Sequence, residues 1–199
     1  MNICFASHNA NKIKELNGIL SGVHQIYGLS KLGITEEIPE TGETLEENSR
    51  IKAKYVYDHH HVPVFADDSG LLVEALKGEP NVYSARYAGE QRDSQQNMDL
   101  VLKNLGDCKN RKASFKTIIT FIDEKGVECQ FSGSVEGEIT LEKRGDNGFG
   151  YDPIFKPNGY PLTFAELSSE IKNRISHRAQ AVKKFVEHLR LLGEQSKHQ

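Results

Sequence analysis

The stretch Val64-Phe65-Ala66-Asp67-Asp68-Ser69-Gly70-Leu71-Leu72-Val73 constrains this chain more than any other. An apolar run climbs to two adjacent carboxylates, and a Ser-Gly pair returns the chain to apolar residues. The apolar flanks ask for burial. Adjacent Asp residues repel, and a carboxylate desolvated without a partner costs several kcal/mol or takes up a proton. The pattern predicts strand, Ser-Gly turn and strand, with something cationic offsetting the acids. A divalent metal is the leading candidate, with a phosphorylated substrate behind it. The plain alternative is an ordinary turn, since Asp, Ser and Gly all favour turns. This stretch alone does not choose between the two.

The N-terminal segment offers a possible partner. Ile3 to Ala6 reads as a buried strand, and Ile13, Leu16 and Leu20 fall at helical spacing. Ser7-His8-Asn9-Ala10-Asn11-Lys12 is therefore a strand-to-helix turn. Free N–H groups and the positive helix end suit such a turn to an anion, and Lys12 adds a full charge. The plain alternative is that Ser7 or Asn9 caps the helix. Val23 to Tyr27 predicts a second strand.

Thr44 and Glu47 fit a capping box at the start of a helix running to about Tyr57, with Leu45, Ile51 and Tyr55 inward. Glu47 reads either as that cap or as a carboxylate aimed at a metal. Asn48 and Lys52 share one helix face; Lys52 reads either as a phosphate ligand or as a solvated lysine. The run His59-His60-His61 invites a metal, but consecutive helical residues do not face one another, so a solvated helix end is preferred.

Arg86, in a loop with two tyrosines, either steadies the acidic stretch or touches phosphate. Asp93 or Ser94 caps a helix with the stripe Met98, Val101, Leu102 and Leu105, closed by Gly106. Ala113 to Ile122 reads as a long strand, apolar on both faces. Val127 to Val135 alternates strictly, as a half-exposed antiparallel strand does. In Gly145 to Phe155, three glycines surround Phe149 and Tyr151, and either ring offers a face for a base. On its own that stretch favours a turn with core aromatics. Thr163 to Leu167 predicts a short helical segment. Ser176 predicts the N-cap of a last helix with the stripe Ile175, Ala179, Val182, Val186 and Leu189, ended by Gly193. His177 and Arg178 oppose the dipole of its first turn, which gives them a role other than helix stability; the plain alternative is pairing with acids across the fold.

Composition narrows the class. A chain of 199 residues with 27% charged residues suits one soluble domain, here 1–193 with two lobes and a polar tail 194–199. A net charge of −3 argues against a general nucleic-acid coat protein. Cys4, Cys108 and Cys129 have neither zinc nor disulfide spacing and suit a reducing cytoplasm. No stretch has the length of a membrane span or a signal sequence.

With those residues in view the chain resembles the inosine triphosphate pyrophosphatase family. The resemblance rests on five pieces in order: Ser-His-Asn-Ala-Asn-Lys, Glu-Thr-Gly with Glu-Glu-Asn, Ala-Asp-Asp-Ser-Gly, Phe-Gly-Tyr-Asp-Pro, and Ser-His-Arg after a lysine. Each is weak; all five in register are specific. The resemblance implies an α/β fold, with a curved mixed β-sheet and flanking helices forming two lobes around a central nucleotide cleft. It implies a homodimer that acts on purine nucleoside triphosphates with Mg²⁺, without nucleic acid or membrane.

It also implies roles. Ser7, His8, Asn9, Ala10, Asn11 and Lys12 would bind the triphosphate. Asp68 would be the general base and a metal ligand, Ser69 the next substrate contact, and Glu47 a carboxylate near the metal. Phe149, Gly150, Tyr151, Asp152, Lys172, His177 and Arg178 would recognise the base. The chain departs from the family at Ser7, where many members have Thr, and at Pro39, where some have an acid. Pro39 cannot ligate, and Glu40 beside it is the substitute.

The expected reaction is in-line attack of water on the α-phosphorus, with Asp68 taking the proton. Pyrophosphate leaves, its charge offset by Lys12, Lys52 and the metal. Donors at His177 and Arg178 would favour a 6-oxopurine over adenine. A non-catalytic nucleotide sensor is the rival class; it would keep Lys12 and Phe149 but gain nothing from Asp67, Asp68 and Glu47 together.

Overall fold

The computed structural model describes residues 2–13, 16 and 25–195, with residues 194 and 195 described by backbone alone. Leu20, Val23 and residues 196–199 of the expected polar tail lie outside the described residues. Among the described residues, six strands form one sheet: β1 (Asn2–Phe5), β2 (Gln25–Gly28), β3 (Val64–Val73), β4 (Lys112–Ile122), β5 (Glu128–Ile139) and β6 (Phe155–Pro157). Their order is β2-β1-β3-β4-β5-β6. β1 pairs parallel with β2 and β3, and β5 pairs antiparallel with β6, so the sheet is mixed. The longer helices are α1 (Leu45–His60), α2 (Ser94–Leu105), α3 (Ser169–Ile175) and α4 (His177–Gln195). Among the described residues no helix is long and apolar enough to cross a membrane.

The chain divides into two compact units. The first takes residues 1–68, 117–133 and 178–199; the second takes 69–116 and 134–177. β3, β4 and β5 each contribute residues to both. In the first unit β1 and β3 are buried on both faces. Ile3, Phe5 and Phe65 pack with Phe121, Val182 and Phe185. Cys4, Ala6, Val64 and Ala66 pack instead with Ala53 and Val56 of α1. The two-residue period of a strand sorts these neighbours onto opposite sides, and burial on both sides explains the unbroken apolar runs. The second unit has its own core, in which Leu71 and Val73 meet Met98, Val101 and Leu105 of α2 together with Phe115, Phe155 and Phe164.

Four expectations are corrected. There is no turn at Ser69-Gly70, because β3 runs unbroken through both acids. A Cβ on Gly70 would stand 2.6 Å from the carbonyl oxygen of Asn81, so this glycine admits a neighbouring backbone rather than a reversal.

The deepest face of α1 is Leu45, Asn48, Ser49, Lys52, Ala53 and Val56, with Ile51 and Tyr55 only half-buried. Polar residues on the inward face hide its amphipathic signal.

Thr163 to Leu167 makes a single turn. Thr163 and Glu166 cap each other reciprocally, at 2.8 and 3.2 Å, but no helix follows directly. Ser168 then caps α3, accepting from the Ile171 N–H.

In α4 the buried stripe includes Arg178, Ala181, Val182, Phe185 and Leu189. Ile175 belongs to the preceding helix, Val186 is half-buried, and the helix continues past Gly193.

Other expectations hold. Asp93 caps α2, and Gly106 ends it at positive φ. β5 alternates buried and exposed residues as far as Ile139.

Candidate active site

Because β3 is continuous, Asp67 and Asp68 are consecutive strand residues and project to opposite sides. Each has its own cations in the first unit. Asp67 accepts from Lys12 Nζ at 3.1 Å through Oδ1 and from Arg178 Nε at 3.4 Å through Oδ2. Burial alone would push its carboxyl up, but Lys12, Arg178 and Lys52 outweigh this and hold it at about 2. Asp67 is thus neutralised by side chains of the chain itself, which corrects the premise that both acids need a bound metal.

Asp68 stands 4.0 Å from Lys52 Nζ. Burial pushes its carboxyl up to about 6; Lys52 and Lys12 oppose the rise, and Glu40 and Asp67 add to it. The Lys52 ammonium also donates to Glu40 Oε1 at 2.7 Å and to the Asp67 carbonyl at 2.6 Å. Burial alone would lower the Lys52 pKa, but Asp68, Glu40 and Asp67 hold it above its ordinary value. The solvated reading of Lys52 is therefore excluded.

The loop that carries Glu40 is fixed by the first turn of α1. Thr44 Oγ1 accepts from the Glu47 N–H at 3.1 Å. Glu47 Oε2 accepts from the Glu43 N–H at 2.7 Å, so the capping box is present with its glutamate reaching one residue further back. Asn48 Oδ1 accepts from the Gly42 N–H at 2.8 Å. A Cβ on Gly42 would come within 2.6 Å of Glu47 Cβ, which keeps the loop tight on the helix.

At the N-terminal turn, Asn9 Oδ1 accepts from the N–H groups of Asn11 and Lys12 at 3.0 and 3.2 Å. Ser7 Oγ accepts from the Asn9 N–H at 3.1 Å. Asn9 therefore caps the helical turn that begins at Ala10, with Ser7 bracing the residue before it, and an anion docking there would exchange with the Asn9 side chain. His8 Nε2 lies 3.1 Å from the Glu36 carbonyl.

Hard oxygen donors suit Mg²⁺, which binds through one or two carboxylates and keeps its remaining positions for water and phosphate. Glu40 and Asp68, gathered on one ammonium, fit that demand. Glu47 already has one carboxylate oxygen in the cap. Among the described residues no set of three or more His, Cys, Asp or Glu forms a closed metal cage. The three consecutive histidines form no such set: His61 ends α1 in the left-handed conformation, and His59 Nδ1 lies 2.7 Å from the Tyr55 carbonyl.

The second unit holds the aromatic constellation. Phe149 is half-buried, and the Lys172 ammonium lies 4.7 Å from its ring centre. Asp152 Oδ2 accepts from Lys172 Nζ at 2.7 Å and from the Phe149 N–H at 2.9 Å. This buried pair ties the Phe149 backbone to the lysine that faces its ring. Gly150 makes the turn at φ +63°. Tyr151 is a core residue, its hydroxyl donating to the Ser84 carbonyl at 2.6 Å. Of the two rings, Phe149 is the one that stays outside the core. His177 is buried, face to face with Phe115 at 4.7 Å. Ser69 is half-buried on β3. Arg86 lies over the Tyr83 ring at 5.4 Å.

Local sequence signals do not reveal Asp67 as a partner of Lys12 and Arg178, Glu40 as a partner of Lys52, or Phe115 as the wall behind His177. Each partner is distant in sequence.

The model of the Ham1 family matches residues 3–188. The dITP/XTP pyrophosphatase of Flavobacterium johnsoniae is 50% identical over 187 residues, covering 94% of this chain and 97% of that protein. The protein of the same name from Bacillus subtilis is 47% identical over 184 residues, covering 90% and 92%. The structure of the Staphylococcus aureus Ham1 protein superposes with a TM-score of 0.88 at 40% identity, covering 96% of this chain and 98% of that one.

Proposed function

Since the chain belongs to the Ham1 family, we propose that it hydrolyses the non-canonical purine nucleoside triphosphates ITP, dITP and XTP. The products are the monophosphate and pyrophosphate, and the reaction keeps these nucleotides out of DNA and RNA. The observation that carries this reading is the gathering of Lys12, Lys52 and Arg178 around the Asp67-Asp68 pair.

Lys12 and Lys52 offset the charge of the triphosphate and of the departing pyrophosphate. Asp68 takes a proton from the attacking water. An O–P bond forms at the α-phosphorus, and the bond from that phosphorus to the bridging oxygen of pyrophosphate breaks. Glu40 and Asp68, with Glu47 nearby on the same loop and helix, are the residues that would hold Mg²⁺, which neutralises phosphate oxygens when bound.

Phe149 offers its ring to the purine. His177 and Arg178 donate to the 6-oxo oxygen, and adenine, with an amino group there, leaves those donors unmatched. The three thiols are free, which suits the cytoplasm to which we assign the protein. By its resemblance to the family we assign it a homodimeric state.

The test is pyrophosphate release from ITP, dITP, XTP and ATP, with and without Mg²⁺. Mg²⁺-dependent release from the first three, at a kcat/KM at least tenfold above that for ATP, is the expected result. Equal cleavage of ATP would overturn the base assignment, and no release from any of them would overturn the activity.

A further inference from the structure

We propose that Asp67 is the positioning residue of this site: one buried carboxylate that orients both the phosphate-side cation Lys12 and the base-side cation Arg178. The inference rests on the function proposed above and deepens it, since neither the reaction nor the metal requires Asp67 to touch substrate. Its two oxygens are divided between two cations, Oδ1 to Lys12 Nζ and Oδ2 to Arg178 Nε. Its backbone carbonyl takes a third cation, Lys52. All three are substrate residues in the proposed function. Lys12 comes from the N-terminal turn, Lys52 from α1 and Arg178 from α4, and Asp67 is the residue they share. Asp67 is 1% exposed and Arg178 2%, so water does not replace these ties. Arg178 is tied to Asp67 through Nε, at the inner edge of its guanidinium.

A carboxylate beside a polyanion site would ordinarily weaken anion binding. Its presence here follows if orientation of the cations outweighs that repulsion. This yields a test in which two explanations predict opposite signs. Asp67→Asn removes a negative charge, so simple electrostatics predicts tighter binding of inorganic tripolyphosphate. Loss of positioning predicts weaker binding, about tenfold or more by calorimetry. Asp67→Glu keeps the charge and moves the carboxylate; positioning predicts weaker tripolyphosphate binding and a reduced ITP-to-ATP ratio of kcat/KM, with KM changing more than kcat. Unchanged or tighter binding in either folded variant overturns the proposal.

If neither variant folds, the wild-type protein supplies the measurement. The Arg178 Nε–H resonance should shift when tripolyphosphate, which has no base, is added, and an unmoved resonance overturns the proposal. Wild-type protein that binds tripolyphosphate but releases no pyrophosphate from ITP refutes the proposed function and leaves the Asp67 result to be read separately. Wild-type protein that releases pyrophosphate from ITP but does not bind tripolyphosphate overturns the positioning proposal and leaves the proposed function standing.

Discussion

The imidazole of His177 lies flat on the phenyl ring of Phe115, with centroids 4.7 Å apart and planes 13° apart. Phe115 is itself held by Phe155 at 4.6 Å and Phe164 at 6.1 Å. The ring that would read the base therefore leans on a wall of three aromatics. Phe115→Leu should leave the protein folded at a cost of about 1–2 kcal/mol, seen by urea denaturation. It should also lower the preference for ITP over ATP severalfold through KM. A variant equally destabilised but with wild-type preference would show that the stack serves only the core.

Asp68→Asn keeps the shape of the side chain and removes the base. Turnover of ITP should fall by about 100-fold or more, as losses of a general base do, while the thermal midpoint changes little. Near-normal turnover would remove Asp68 from the reaction.

Cys4 is fully buried on β1, and burial pushes its thiol from an ordinary 9.0 up to about 12. Above pH 9 the unfolded chain loses this proton and the folded chain keeps it. The unfolded state then binds fewer protons, so stability falls as pH rises, by about 1.4 kcal/mol per unit for one such group until the folded thiol also ionises. Denaturation midpoints should fall between pH 8 and 11, and Cys4→Ala should lessen that fall by this one group's share. At pH 8 a thiol reagent should label the exposed Cys108 and leave Cys4 untouched in the folded protein.

Two glycines should respond to Ala for different reasons. At Gly70 the added Cβ meets the Asn81 backbone at 2.6 Å, and backbone cannot swing away; the cost should be about 1–3 kcal/mol. At Gly150 no atom lies within 4 Å of the new Cβ, but φ is +63°, so the cost should be about 1 kcal/mol, from conformation alone. Paired denaturation curves decide, and a larger loss at Gly150 would reverse the ranking.

Much of the fold could be read from local pattern. The Thr44–Glu47 cap, the Asp93 cap, the α2 stripe and the alternation along β5 all follow from neighbours within about four residues. The readings that failed share one cause. Gly70 looked like a turn because its reason for being glycine, the Asn81 backbone, is eleven residues away. Thr163 to Leu167 read as a short helical segment, but the chain leaves it after the one turn that Thr163 and Glu166 close. In α1 the apolar pattern put Ile51 and Tyr55 inward, whereas the deepest face carries Asn48, Ser49 and Lys52, whose burial depends on partners outside the helix: Gly42 for Asn48, Thr120 for Ser49, Glu40 and Asp67 for Lys52.

Residue order alone supplied candidates, the acids Glu47, Asp67 and Asp68, the cations Lys12, Lys52 and Arg178 and an aromatic at Phe149 or Tyr151, because side-chain chemistry is a property of each residue wherever it sits. It could not say which acid faces which cation. Lys12 meets Asp67 across 55 positions and Arg178 meets it across 111, while Asp68, the next residue, turns the other way to Lys52. That division comes from the pleat of a single continuous strand, and a pleat acquires two distinct faces only when helices and strands from distant parts of the chain have packed on either side of it.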